Sequence, residues 1–313
     1  MNKLFLSLFI VLFTFNQLSS AQSSYNYAIG IWKDDNSLFN VGYVDLNGVN
    51  AAQSKLVLER YYLTYNTYQQ GTINKNTQIL TMAVQEWKTN DNYIISIDCG
   101  QWSIVSEIFI GDSDKYGGFA ADPYSNNFYV TMNNGTSIFV QKVNPFTLFS
   151  VSFGILDGQF FGSVYNPVVD SLFVALQNSS GIYVNIYQNT DLIAVKKFTY
   201  SGFDPSVQIL NQPLRLFFSP ATSSVFGSVT VYDGQSSENV LVYLNFLSGT
   251  IQSTNMNSVD NDQIVSTIAD PKAPFAYSFG YSNTDTFIYK YNTLLGTFVS
   301  KTNYSPLAVY LYE

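Results

Sequence analysis

Two short signatures recur along this chain, and their spacing restricts the folds open to it. In the first, an apolar strand ends in small or Asx residues and a proline: GGFAADP (117–123), FGSVYNP (161–167), LRLFFSP (214–220) and VSTIADP (265–271). Six residues beyond each proline stands an aromatic: Tyr129, Phe173, Phe226 and Tyr277. In the second, a strand runs into an Asx residue and a short turn holding Gly, Ser or Thr, at Asp45, Asp98, Asn144, Asn245 and Asn292. The fourth unit carries Gln188-Asn189-Thr190-Asp191 at that place. From Asp45 to Asn292 is 247 residues over five intervals, about 49 each, and a fixed period of this length marks a repeat architecture. Between the signatures the hydrophobic period is two, in short segments such as Phe128–Met132 and Ile182–Tyr187 bounded by Asn, Gly, Ser or Pro. Such segments read as strands. No stripe with a period of 3.6 follows residue 21.

Six units of that length need about 296 residues, and 292 remain after residue 21. The arithmetic predicts an all-β chain, a six-bladed β-propeller with a four-stranded antiparallel sheet per blade. The expected blades are 24–60 plus 306–313, 62–111, 117–155, 161–199, 213–257 and 264–303. In the third, strands are expected at 117–121, 127–133, 136–143 and 147–153. The first unit lacks an innermost strand and the C-terminal strand Leu307–Tyr312 lacks partners, so that strand is expected to join the N-terminal blade and close the ring. Closure protects edges that otherwise invite aggregation. The strand-Asx-x-x-Ser/Thr-Gly turns resemble the repeats of YVTN- and NHL-type propellers, and the resemblance covers the whole of residues 22–313.

Met1–Ala21 reads as a secretory signal. Lys3 supplies the positive start, Leu4–Phe15 a twelve-residue apolar run, and Ser19 and Ala21 the small residues before a cleavage site. Twelve apolar residues are too few to span a bilayer. The expectation is a secreted, extracellular chain with residues 22–313 as one domain, no transmembrane segment after cleavage, and a monomeric state.

Composition bears on function mainly by exclusion. With no His there is no Ser–His–Asp or Cys–His nucleophile system and no His-based zinc site. A single Cys, Cys99, permits no internal disulfide. Alternation places Cys99 with Tyr93, Ile95 and Ile97, as a buried apolar thiol. A net charge of −8 and a pI near 4.5 argue against nucleic-acid binding.

In a propeller, the turns joining strands one–two and three–four lie on one face. Those joining strands two–three, and blade to blade, lie on the other, here called upper. The upper face is expected to hold Asp34, Asp35, Glu86, Asp91, Asp112, Asp114, Asp157, Asp204, Asp233, Glu238, Asp260, Asp262 and Asp285. Against them stand Lys33, Lys88 and Lys115, a balance of 3 − 13 = −10. Such a face attracts cations or a basic partner. The lower face carries Asp45, Asp98, Asp122, Asp170, Asp191 and Asp270 as turn formers. Asp112 with Asp114, and Asp260 with Asp262, have the spacing of calcium ligands, although no bidentate Glu follows at EF-hand distance. No other cofactor is indicated. Three glycosylation sequons, Asn134-Gly135-Thr136, Asn178-Ser179-Ser180 and Asn303-Tyr304-Ser305, all fall on the upper face, the third in an inter-blade turn. Arg215 is expected on an innermost strand facing the channel.

These features point to a secreted, glycosylated, non-enzymatic binding module for a protein or carbohydrate. The alternative is a divalent-metal-dependent hydrolase resembling the gluconolactonase-like propellers. Those hold an ion with Glu, Asn and Asp at the channel mouth; the corresponding candidates are Asp112, Asp157, Asp204 and Asp260. The family's ligand motifs do not match here residue by residue.

Overall fold

Every regular element is a β-strand in the computed structural model, which describes residues 27–34, 36–63, 71–111, 115–133, 137–147, 149–210, 214–254, 263–281, 285–304 and 309–312. The first strand set is β1 (Tyr27–Lys33), β2 (Phe39–Asp45) and β3 (Gln53–Leu58), with β26 (Val309–Tyr312) added inside β1. The second is β4 (Tyr61–Tyr62), β5 (Gly71–Asn74), β6 (Ile79–Glu86), β7 (Asn92–Asp98) and β8 (Ser103–Gly111). The third runs β9 (Lys115–Ala121), β10 (Phe128–Asn133), β11 (Ile138–Asn144) and β12 (Phe149–Leu156). The fourth is β13 (Gln159–Asn166), β14 (Ser171–Asn178), β15 (Gly181–Gln188) and β16 (Asp191–Ser201). The fifth is β17 (Gln208–Ile209), β18 (Phe217–Ser219), β19 (Ser224–Tyr232), β20 (Ser237–Asn245) and β21 (Thr250–Ser253). The sixth is β22 (Gln263–Ala269), β23 (Phe275–Tyr281), β24 (Thr286–Asn292) and β25 (Thr297–Tyr304).

Within each set the pairing is antiparallel. The hydrogen-bonded sheets number five rather than six, because β16 pairs in parallel with β21 and fuses the fourth and fifth sets. The innermost strands touch in a closed cycle, β26–β5–β9–β13–β18–β22 and back to β26. The expected closure is present: β26 pairs with β1 from Ile29↔Tyr312 to Trp32↔Val309. The fold is a β-propeller built from repeated blades.

The aromatic after each proline explains why the repeat is legible. Tyr129, Phe173, Phe226 and Tyr277 lie opposite Ala120, Val164, Phe217 and Ile268, each three residues before the proline of its set. All four aromatics are buried, so each proline turn sets the register that sends its aromatic into the core. Between neighbouring sets the rings pack directly: Tyr129 stacks on Tyr165 at 5.7 Å, and Tyr43 meets Trp102 edge-on at 5.2 Å. Six buried apolar clusters each bridge two consecutive sets, and one of them joins the sixth set to the first through Phe279, Tyr277, Val44 and Trp32. Gly117 and Gly118 make room for the Phe160 ring; a Cβ on Gly118 would stand 2.5 Å from its Cζ.

Three details depart from the sequence expectations. The innermost strand is split in two sets, β4 from β5 and β17 from β18, each pair lying along one neighbour, β6 or β19. Arg215 therefore lies between β17 and β18 rather than on a strand, and is half-buried. Pairing of the third with the fourth strand shifts register in five sets, and such bulges twist an outer edge away from edge-to-edge pairing.

Candidate functional site

The lower-face turns are built by one device. An Asx side chain at the strand end accepts backbone N–H groups two and three residues on, which holds the turn and points the second residue outward. In the three–four turns, Asn144 Oδ1 accepts from Phe146 (3.0 Å) and Thr147 (3.3 Å). Asn245 does so from Leu247 (3.0 Å) and Ser248 (3.1 Å), and Asn292 from Leu294 (3.0 Å) and Leu295 (3.0 Å). In the one–two turns, Asp122 accepts from Tyr124 (2.8 Å) and Asn166 from Val168 (3.0 Å).

At these five turns the residue held out is apolar, whereas Asp45, Asp98 and Asp270 hold out Asn47, Gly100 and Lys272 in the same way. Tyr124, Phe146, Val168, Leu247 and Leu294 are 49–98% exposed, Leu247 being the extreme. Val49, Val169 and Leu295 join them on the same face. Of the acids on this face, Asp45, Asp122 and Asp270 are buried, Asp98 is half-buried, and Asp170 and Asp191 are exposed. Sequence reasoning marked the Asx residues and missed their consequence, although the signal was present as an apolar residue at the second place after Asx in Asn144, Asn166, Asn245 and Asn292.

The upper face is polar. Trp87 is the one comparably exposed large apolar residue in its described turns. Asp34 Oδ1 accepts the N–H groups of Asn36 and Leu38 (both 2.9 Å), Asp233 Oδ1 those of Gln235 (2.8 Å) and Ser236 (2.7 Å), and Asp204 that of Ser206 (2.8 Å). Backbone donors thus hold all three carboxyls below the usual aspartate range. Arg60 bridges Glu86 (2.7 Å) and Glu107 (3.0 Å) and lies over the rings of Tyr61 and Tyr93. Glu86 is lowered chiefly by the Arg60 hydrogen bond. Glu86 and Glu238 stand on β6 and β20 beside the turns rather than in them.

Asp112, Asp114, Asp260, Asp262 and Asn134 lie outside the described residues, as do Met1–Ala21 and Asp35. Among the described residues no three His, Cys, Asp or Glu side chains gather as metal ligands would. Asp157 is exposed in the β12–β13 connection, the inter-blade turn expected for it. Asn178 ends β14, its Oδ1 accepting from the N–H of Ser180 at 2.9 Å. Asn303 is exposed but belongs to β25, opposite Phe287, rather than to a turn. Cys99 is buried in the apolar cluster between the first two sets, and burial pushes its thiol up to about 12.

No family model matches the chain, and no curated protein matches it in sequence. Solved structures do match in shape. TolB from Acinetobacter baumannii superposes with a TM-score of 0.64 at 10% identity, over 92% of this chain and 66% of the TolB chain. This chain therefore spans just under two thirds of TolB's length. A chain of a nidogen–laminin complex gives 0.53 at 9% identity, over 90% of this chain and 93% of its own. The β-propeller domain of Cps50 (Swd1) from Myceliophteria thermophila gives 0.51 at 12%, over 88% of this chain and 86% of its own. At such identities the shared property is the fold alone, and this chain is a β-propeller.

Proposed function

We propose that the protein is an exported, glycosylated, non-enzymatic interaction module of six blades with YVTN/NHL-like repeats, which docks a protein partner on its lower face. The six-blade count rests on the cycle of innermost strands and on the six clusters bridging consecutive sets. Export rests on the Met1–Ala21 segment, and glycosylation on the sequons at Asn134, Asn178 and Asn303.

The observation that carries the docking face is the set of apolar tips held out by Asx turns. Single exposed apolar residues are ordinary. Eight on the turns of one face, with one counterpart on the described turns of the other, are the composition of a contact surface. Sugars at the sequons would sit on the upper face and leave the apolar tips free. The acidic upper face is assigned to solubility and to repulsion of acidic neighbours. Propellers similar in fold occur in a nidogen–laminin complex, which is consistent with a ring serving as a protein-binding platform.

Site-specific photocrosslinking in secreting cells tests the reading, with a photoreactive residue replacing Leu247 on the lower face or Gly234 on the upper. A discrete protein adduct at 247 and none at 234 is expected, and the adduct should vanish in the Phe146→Ser/Leu294→Ser background. Equal adducts at both positions, or none at 247, would overturn the docking face.

A further inference from the structure

A cavity of about 370 Å³ lies where the sixth, first and second sets meet at the lower end of the ring, lined among others by Tyr27, Tyr43, Lys75, Cys99, Asp270 and Tyr277. Its origin is visible in the strand register. In the third set β9 follows β10 down to Ala121↔Phe128, the last pair before the turn. In the first set β26 pairs only with Ile29–Trp32. Tyr27 and Ala28 pair with Asp45 and Val44 on the other side and have no inner strand among the described residues. Among the described residues the inner strand stops short there, and apolar and aromatic side chains line the space.

One polar group in this wall is anomalous. Asp270 is 3% exposed; its Oδ1 accepts the N–H groups of Lys272 (2.9 Å) and Ala273 (3.0 Å), while its Oδ2 is buried with no partner. The equivalent residue of the third set shows what is missing. Asp122 Oδ1 accepts from Tyr124 N–H, and its Oδ2 from the Ser125 hydroxyl at 2.5 Å. The two turns read DPYS and DPKA, so Ala273 stands where Ser125 supplies the donor. A buried carboxylate oxygen left without a donor is costly, and here it belongs to a residue that lines a cavity of ligand-binding size.

We propose that this seam cavity is a binding site for a small molecule with an apolar, ring-sized body and a single hydrogen-bond donor, a protonated amine or a hydroxyl, which satisfies Asp270 Oδ2. Tyr27, Tyr43 and Tyr277 give the lining an aromatic surface against which the body packs. The site is separate from the protein-docking reading and does not depend on it.

The test uses the whole mature chain and three probes of one shape: 2-phenylethylamine, 2-phenylethanol and ethylbenzene, titrated by calorimetry and ligand-observed NMR. The two donor-bearing probes should bind, and ethylbenzene should bind about tenfold or more weakly, as expected for loss of a hydrogen bond to a charged group. Ala273→Ser restores the internal donor seen at Asp122. It should raise the unfolding midpoint and weaken the donor-bearing probes about tenfold while leaving ethylbenzene unchanged. Absence of binding by all three probes at millimolar concentration, equal affinity for ethylbenzene, or unchanged affinity in a folded Ala273→Ser protein would each overturn the proposal. A raised midpoint without an effect on the probes would mean that Oδ2 takes no part in binding.

Discussion

Asp122 on the lower face and Asp233 on the upper do the same local work. Each accepts a backbone N–H two residues on at 2.8 Å and a serine hydroxyl three residues on. Asp122 is nevertheless buried and puts Tyr124 forward, whereas Asp233 is itself exposed beside Gly234 and Gln235. The difference comes from what packs behind the turn. The carboxamide of Asn74, from the neighbouring set, donates to the Asp122 carbonyl at 2.7 Å and also bonds the Ser125 carbonyl, sealing the lower turn from beneath. Among the described residues no such strut reaches Asp233. One turn chemistry thus yields a buried acid behind an apolar tip at Asp122 and a displayed acid at Asp233.

The contrast requires a closed ring, and breaking closure should give the largest effect. Phe279 is fully buried in the cluster joining the sixth set to the first, 6.2 Å from Tyr304. Phe279→Ala should cost about 3–5 kcal/mol and lower the unfolding midpoint by roughly 10 °C, read by calorimetry. Next comes the pair of aspartates. Asp122→Ala leaves buried donors without an acceptor and should cost about 1–3 kcal/mol, while Asp233→Ala should cost clearly less in the same denaturant titration. Equal costs would show that burial does not distinguish the faces.

Acid should act through the upper face. Asp34, Asp204, Asp233 and Glu86 are all lowered in the folded protein, by backbone donors or by Arg60. Their stabilisation is therefore complete above the ordinary unfolded carboxyl values, near pH 4. It is lost as the pH falls through the lower folded values. The unfolding midpoint should hold on titration down to about pH 5 and then decline, and the Asp34→Asn/Asp233→Asn protein should decline less. Leu247→Ser and Leu294→Ser should change stability by no more than about 0.5 kcal/mol, since both side chains already face water. Leu294→Ser combined with Phe146→Ser should abolish crosslinking from position 247, which separates a contact role from a packing role. The smallest effect expected is from calcium: at millimolar concentration the unfolding midpoint should stay constant. A rise of several degrees would place an ion with Asp112 and Asp114 or with Asp260 and Asp262, since a bound ion stabilises by mass action.

Much of the architecture was legible because its signals are local. Asp-Pro and Asn-Pro turns followed by an aromatic six residues on fix strand register within one unit, and the third set appears at 115–121, 128–133, 138–144 and 149–156, close to expectation. The split of β4 from β5 was not legible, since Tyr61-Tyr62 reads as a strand start whatever follows. The fusion of the fourth and fifth sets was not legible either, because the parallel pairing of Thr199–Ser201 with Thr250–Gln252 joins segments far apart in sequence. Of the candidate site, the Asx turn formers could be read directly, as could the apolar residue two places after four of them, but not whether Phe146 and Leu247 stay in water. A hydrophobic residue beside a turn reads as core or surface with equal ease until the neighbouring blade is in place.

The sequence by itself determined the strand period, the length of the repeat, the turn residues and the joining of the two chain ends, all consequences of hydrogen bonding and side-chain alternation over a few residues. Only the tertiary structure decided which turns are sealed from below, which apolar side chains remain in water, and where a cavity opens between sets. Those are properties of contacts between blades, between residues far apart in sequence. Ala273 shows the boundary between the two. The missing hydroxyl can be read by setting DPKA beside DPYS, but it matters only because the fold brings Asp270 to a cavity at the seam.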